Sequence, residues 1–150
     1  MEVVDRTAHR HLTEKVDHMP TLPWMTINPP ATPEVQCMVS RLEVKSVLHA
    51  PAFLISSMSL WRQARRSPGI VGVALKAEML KGVFWTSSAW TDKAAIYAYA
   101  SAEPHKSTVA RKRKVMREAT FAFFTAPAAE LPMSWEDVQR RIAEERAAQQ

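Results

Sequence analysis

"FWTSSAWTDKAAIYAYASAEPHKSTVARKRK", residues Phe84 to Lys114, opens as a strand and turns into a helix at Thr91. With Val83 added, the strand runs to Trp90. Val83 and Trp85 then fall on one side, and Phe84 and Trp90 on the other. Such a strand is apolar on both faces and has to be covered twice. Thr91 suits the N-cap of a helix from Asp92 to about Ala102, with Ile96 and Tyr99 on its inner side. Pro104 breaks that helix and starts another, expected to reach about Glu118. His105 follows the break directly.

Working outward, Val35 to Val44 reads as a first strand, with Val35, Cys37 and Val39 on one side and Met38 and Leu42 on the other. A helix follows it. Pro51 fits the first turn, Phe53, Leu54, Met58 and Trp61 recur at helical spacing, and Arg62, Arg65 and Arg66 sit near the end. Ser67-Pro68-Gly69 stops it. Gly69 to Glu78 is a second strand, joined through Leu80-Lys81-Gly82 to Val83–Trp90 as a hairpin. Ala119 to Thr125 is the fourth strand, with Phe121 and Phe123 opposite to Phe124. Ser134 with Asp137 resembles a capping box before a last helix from Trp135 towards Ala147.

The order is β-α-β-β-α-β with an extra helix before the last strand and a C-terminal helix after it. That is the α+β, ferredoxin-like arrangement, in which an antiparallel sheet carries its helices on one face. The other face would ordinarily be polar. Here it is apolar, so it needs a cover, and a second copy of the same sheet is the expected one. The chain is therefore expected to be a homodimer that closes an α+β barrel.

Residues 35–150 make up this domain. Residues 1–34 differ in texture, because Pro20, Pro23, Pro29, Pro30 and Pro33 interrupt every periodic run. They are expected to form an extended, Pro-rich arm, with Trp24 and Met25 docked on the domain and a helical turn around His11 to Val16. Cys37 is the only cysteine, so no intrachain disulfide can form. No apolar run approaches the roughly 20 residues needed to span a bilayer, and the first twenty residues lack the apolar centre of a signal peptide. The cytoplasm is the default compartment.

The net charge is +5, and much of the positive charge lies in Arg62–Arg66 and Arg111–Arg117. No zinc-finger spacing, RNA-binding aromatic motif or clear helix-turn-helix accompanies these runs. They read as solvated helix faces, and nucleic acid is not an expected partner. His9-Arg10-His11 has no third ligand in sight, so no metal site is expected. Gly69, Gly72 and Gly82 are the only glycines, too few for a dinucleotide or phosphate loop.

Ser40 to Ile142 resembles the dimeric α+β-barrel superfamily, among members near the antibiotic-biosynthesis monooxygenases. The residues that carry the likeness are Ser67-Pro68-Gly69, Phe84-Trp85-Thr86, Ala89-Trp90-Thr91-Asp92, Glu103-Pro104-His105 and Met133-Ser134-Trp135. A fainter likeness to spheroidene-monooxygenase-like proteins rests on Ser67-Pro68-Gly69-Ile70. The resemblance implies a cofactor-independent monooxygenase acting on an aromatic or polyketide-like small molecule. Haem-degrading members carry a helical Trp and a His at places held here by Tyr99 and Val109. That departure argues against haem degradation of that type.

His105 is the candidate catalytic residue. It shares a helix face with Val109 and Met116, and could act as general base, ligate a haem iron, or simply pack as a satisfied core histidine. Trp85, Trp90, Tyr97 and Tyr99 could line a pocket for a flat substrate, or be core. Arg41 interrupts an apolar strand, so it either pairs with Glu43 or Glu78 or faces an anionic ligand. A cofactor-independent oxygenase, a haem protein and a non-catalytic barrel that binds a small apolar ligand are the alternatives that remain.

Overall fold

The computed structural model describes residues 21–149. One antiparallel sheet contains β1 (Thr21–Thr26), β2 (Glu34–Val44), β3 (Ile70–Glu78), β4 (Val83–Trp90) and β5 (Met116–Pro127). The strand order is β1-β3-β4-β2-β5. The connecting helices are α1 (Ala50–Arg65), α2 (Lys93–Ser101) and α3 (His105–Lys112), and α4 (Trp135–Ala148) closes the chain. Setting β1 aside, this is the ferredoxin-like order, with the β2-α1-β3 and β4-α2-α3-β5 crossovers interleaved.

Register decides which side chains share a face. Met38 opposes Ser88, Ser40 opposes Thr86 and Leu42 opposes Phe84 across β2 and β4. These residues point towards α1, whose Phe53 ring lies 4.6 Å from the Phe84 ring. Cys37, Val39 and Arg41 point the other way, opposite Ala89, Ser87 and Trp85. Both faces are apolar, as the sequence indicates.

The second face, expected to be covered by a second copy, is covered by the chain's own last helix. Val138 and Ile142 of α4 are buried against Val39 and Ala122, with Trp85, Phe124, Met133 and Trp135 around them. The hydroxyl oxygen of Ser134 accepts from the Asp137 amide at 3.1 Å and fixes the start of α4 there. A helix that supplies its own apolar stripe shields this face within one chain.

Part of the expected extended, Pro-rich arm joins the sheet as a strand. β1 pairs with β3, from Thr21 opposite Lys76 to Thr26 opposite Gly72, with an irregularity between Leu22 and Met25. Pro23 sits at that irregularity on an edge strand, where a missing amide is tolerated. Without β1, the long and fully buried β3 would be an open edge. Of the two residues expected to dock, Trp24 does, directly over Gly72, where an added Cβ would collide with the indole, whereas Met25 stays exposed. The helical turn expected around His11–Val16, and His9 and His11 themselves, lie outside the described residues.

Two boundaries differ from expectation. Asp92, not Thr91, caps α2: its carboxylate accepts from the Ala95 amide at 2.8 Å and suits the positive helix terminus. The helix after Pro104 ends at Lys112, and a 3-10 turn over Arg113–Val115 leads into β5 at Met116. Residues 116–118 have helix-compatible side chains, but β2 offers Glu43 and Val44 as ladder partners, and pairing overrides local propensity.

The contact between Trp24 and Gly72 gives a direct test of β1. Trp24→Ala should lower unfolding stability by about 1–3 kcal/mol. Gly72→Ala should be as costly alone, yet cost much less once Trp24 is already Ala, as a double-mutant cycle by urea titration would show. Additive losses would mean that the two residues do not meet.

Candidate functional site

A cavity of about 270 Å³ lies between the sheet and helices α1 and α3. Its floor comes from alternate residues of three strands: Met38, Ser40 and Leu42 of β2, Val73 and Leu75 of β3, and Thr86 and Ser88 of β4. Phe53, Leu60 and Trp61 of α1 roof it, Tyr99 of α2 closes one side, and Phe121 of β5 flanks it. The α3 face brings His105, Thr108, Val109 and Lys112 to the wall in successive turns. Most of the lining is apolar, with a few polar groups set into it, as small-molecule sites commonly are.

His105 is held from three directions. Its backbone amide donates to the side-chain oxygen of Gln63 at 2.8 Å, and the Gln63 side-chain amide donates to the Tyr99 carbonyl at 3.1 Å. Gln63 of α1 thus ties the end of α2 to the start of α3. The His105 ring lies 4.7 Å from the Tyr99 ring, which in turn lies 5.1 Å from the Trp90 ring. The Tyr99 hydroxyl donates to the Leu60 carbonyl at 3.1 Å, and burial raises its pKa well above the ordinary value. Tyr99 is therefore a neutral wall, not an acid.

The third contact fixes the imidazole itself. Nδ1 of His105 is 3.1 Å from the Ala100 carbonyl oxygen. A carbonyl only accepts, so Nδ1 carries the proton in this contact. Burial lowers the His105 pKa below its usual 6.5, and the Ala100 carbonyl only partly opposes that. At neutral pH the ring is neutral, and the lone pair is on Nε2, which has no hydrogen-bond partner among the described residues. This is the form a general base requires.

The floor adds two hydroxyls. Ser40 and Thr86 hydrogen-bond to each other across β2 and β4, among mostly apolar floor residues. Their remaining capacity can orient one oxygen of a ligand. Ser88 accepts from Trp90 Nε1 at 2.9 Å and donates to the Met38 carbonyl at 3.3 Å, so it is already engaged. The Ser57 hydroxyl donates to the Phe53 carbonyl at 2.9 Å. Cys37 is buried on the opposite face, and burial pushes its thiol up to about 11, against a weaker opposing pull from Arg141. It is not poised as a nucleophile.

The structure separates the other residues singled out in the sequence. Tyr99 lines the cavity beside His105. Trp90 is fully buried behind Tyr99 and braces it, without reaching the cavity. Tyr97 is 68% exposed on the outer side of α2. Trp85 and Arg41 lie across the sheet, on the α4 face. There the Arg41 guanidinium sits 5.6 Å from the Trp85 ring centre, 3.7 Å from a Glu43 oxygen and 3.8 Å from a Glu118 oxygen. The pair with Glu43 is one of the two arrangements the sequence left open for Arg41. The aromatic wall consists instead of Tyr99, Phe53, Trp61 and Phe121. Gln63, Thr86 and Lys112 were not singled out; Gln63 and Lys112 look like ordinary exposed helix residues until the fold places them. Among the described residues, no three His, Cys, Asp or Glu side chains gather as a metal site. No described helix is long and apolar enough to cross a membrane.

No protein-family model and no curated protein matches the chain. Solved structures do. An oxygenase of Streptomyces nogalater, SnoaB, described as cofactor-independent, is 20% identical, with a TM-score of 0.54 over 68% of this chain and 100% of that one. A structure described as an antibiotic biosynthesis monooxygenase is 18% identical, with a TM-score of 0.56 over 61% of this chain and 97% of that one. A Fusobacterium nucleatum protein reaches a TM-score of 0.62 at 10% identity over 69% of this chain. The match spans only 48% of that longer protein. At these identities the likeness establishes the fold alone, the ferredoxin-like α+β fold that these structures share.

The half-buried, neutral His105 makes folding sensitive to acid. Its folded pKa lies below the unfolded value, so its contribution is complete above about pH 6.5 and is lost as pH falls through the folded pKa. Urea midpoints should drop on acidification through that window, and His105→Gln should show a smaller drop. An identical pH dependence in the two proteins would contradict the desolvated ring.

Proposed function

We propose that the cavity is the active site of a cofactor-independent oxygenase acting on an aromatic or polyketide-like molecule, with His105 as general base. The observation that carries this is the His105 ring at the cavity wall, with Nδ1–H given to the Ala100 carbonyl and Nε2 left free. The likeness in fold to a protein described as a cofactor-independent oxygenase supports it.

His105 Nε2 removes a proton from a carbon activated by flanking rings and a carbonyl. Of the Ser40 and Thr86 hydroxyls, the one whose proton is not used in their mutual bond donates to the enolate oxygen that results, in surroundings where such a bond is strong. The carbanion passes an electron to dioxygen, and the two radicals combine to form a C–O bond. The peroxide O–O bond then breaks as the second proton leaves that carbon, giving a ketone and water. Tyr99, Phe53 and Trp61 hold the flat skeleton and keep water out.

A homodimer belongs to the same proposal. β5 is an edge strand, with its outer backbone unpaired among the described residues. Phe121 and Phe123, exposed by 43% and 59%, stand along it beside the cavity. A long apolar edge is a surface that proteins ordinarily cover. Light scattering at micromolar concentration should give twice the chain mass, and Phe121→Glu with Phe123→Glu should give monomer. A wild-type monomer would refute the dimer.

Oxygen uptake with an anthrone-type substrate tests the reaction. Turnover is expected without added metal or flavin, and kcat/KM should rise with pH to a plateau reached near neutrality, because the base titrates below 6.5. His105→Gln should keep the fold and lose roughly 10²–10⁴-fold in turnover. Full activity in that variant would remove His105 from the mechanism. A Soret band in the purified protein would instead favour His105 as a haem ligand.

A further inference from the structure

We infer, taking the cavity as the substrate site, that its ligand carries an anionic substituent that Lys112 binds, some 10 Å from the atom facing His105. Lys112 lies seven positions after His105, two turns along the same face of α3, and a rise of 1.5 Å per residue sets that separation. The spacing suits a rigid skeleton of fused rings, with an acidic carbon at one end and a carboxylate or similar anion at the other.

The charge pattern carries the inference. No Asp or Glu lines the cavity, whereas Lys112 and Arg113 both do. Neither forms an ion pair among the described residues. The two cations held against the other parts of the sheet are paired, Arg41 with Glu43 and Glu118 and Lys76 with Glu78, whereas exposed ones such as Arg62, Lys106 and Arg111 are not paired among the described residues. Lys112 is half-buried and Arg113 exposed, so the cationic end of the cavity meets solvent. An anion there keeps part of its hydration and gains a charge-assisted contact, while the uncharged rings enter the apolar part. The competing account is that both cations only complement the C-terminal dipole of α3. That account predicts an effect on stability and none on ligand choice.

Two fluorescent probes share one skeleton and differ in charge: anilinonaphthalene sulfonate and uncharged phenylnaphthylamine. The wild-type protein should bind the sulfonate about five- to tenfold more tightly, and the gap should shrink in high salt. Lys112→Met, which keeps the apolar stem, should abolish the preference and leave phenylnaphthylamine binding unchanged; Lys112→Arg should restore it. Ser57→Phe, which fills the cavity, should eliminate both signals. Equal wild-type affinities, an equal loss for both probes in Lys112→Met, or sulfonate binding that survives Ser57→Phe would each overturn the inference. Binding of the uncharged probe without discrimination would leave the oxygenase proposal intact and sink only the anionic ligand. Failure of both probes to bind would remove the cavity as a ligand site, and both proposals with it.

Discussion

A sheet with apolar side chains on both faces cannot remain half-solvated, and the rest of the molecule follows from how each face is covered. On one side α4 and its preceding loop lie close against β2, β4 and β5, leaving Val39, Val138 and Ile142 with almost no exposure. On the other side α1, α2 and α3 stand over the sheet but do not fill the space beneath them. Where small residues such as Ser40, Thr86 and Ser88 line the floor, the helices bridge a gap instead of closing it. The close packing of one face and the incomplete packing of the other give the chain a rigid back and a hollow front.

The hollow matters because of what burial does to an ionisable group at its wall. A histidine in water would be partly charged near neutrality. At the start of α3, beside Tyr99, its charged form is disfavoured. The Ala100 carbonyl then selects which nitrogen keeps the proton. Gln63 makes this geometry depend on three helices at once, since it contacts α2 and α3 from α1. Local position, protonation state and tautomer are thus fixed by one small network, which is the preorganisation a base requires.

Much of this was legible in the sequence, and the misses have physical causes. The bounds of β4 follow from the tight Leu80-Lys81-Gly82 connection before it and the helix-capping residues after Trp90. His105 was visible because it follows a proline break on the inner face of a helix. Tyr97 and Tyr99 could never both face inward, since residues two apart on a helix diverge by more than a right angle. Trp85 and Trp90 have opposite parity on one strand, so only one of them could approach the helix face. Arg41 is separated from Ser40 by the same rule. β1 was hidden because prolines conceal a strand that needs to pair along only one edge. The end of α3 was hidden because a ladder with β2, unseen in local sequence, claims residues 116–118. The role of α4 as cover was the largest miss: its apolar stripe was plain, but not the sheet face it would occupy.

The central claim is that His105 is neutral at pH 7, with its proton on Nδ1 and a bare Nε2. Long-range proton–nitrogen correlation NMR reads this directly, with the His105 signals assigned by their loss in His105→Gln among the five histidines of the chain. The predicted spectrum at neutral pH shows a pyrrole-like Nδ1 and a pyridine-like Nε2, converging only below about pH 6.5. A charged ring at neutral pH, or the proton on Nε2, would contradict it.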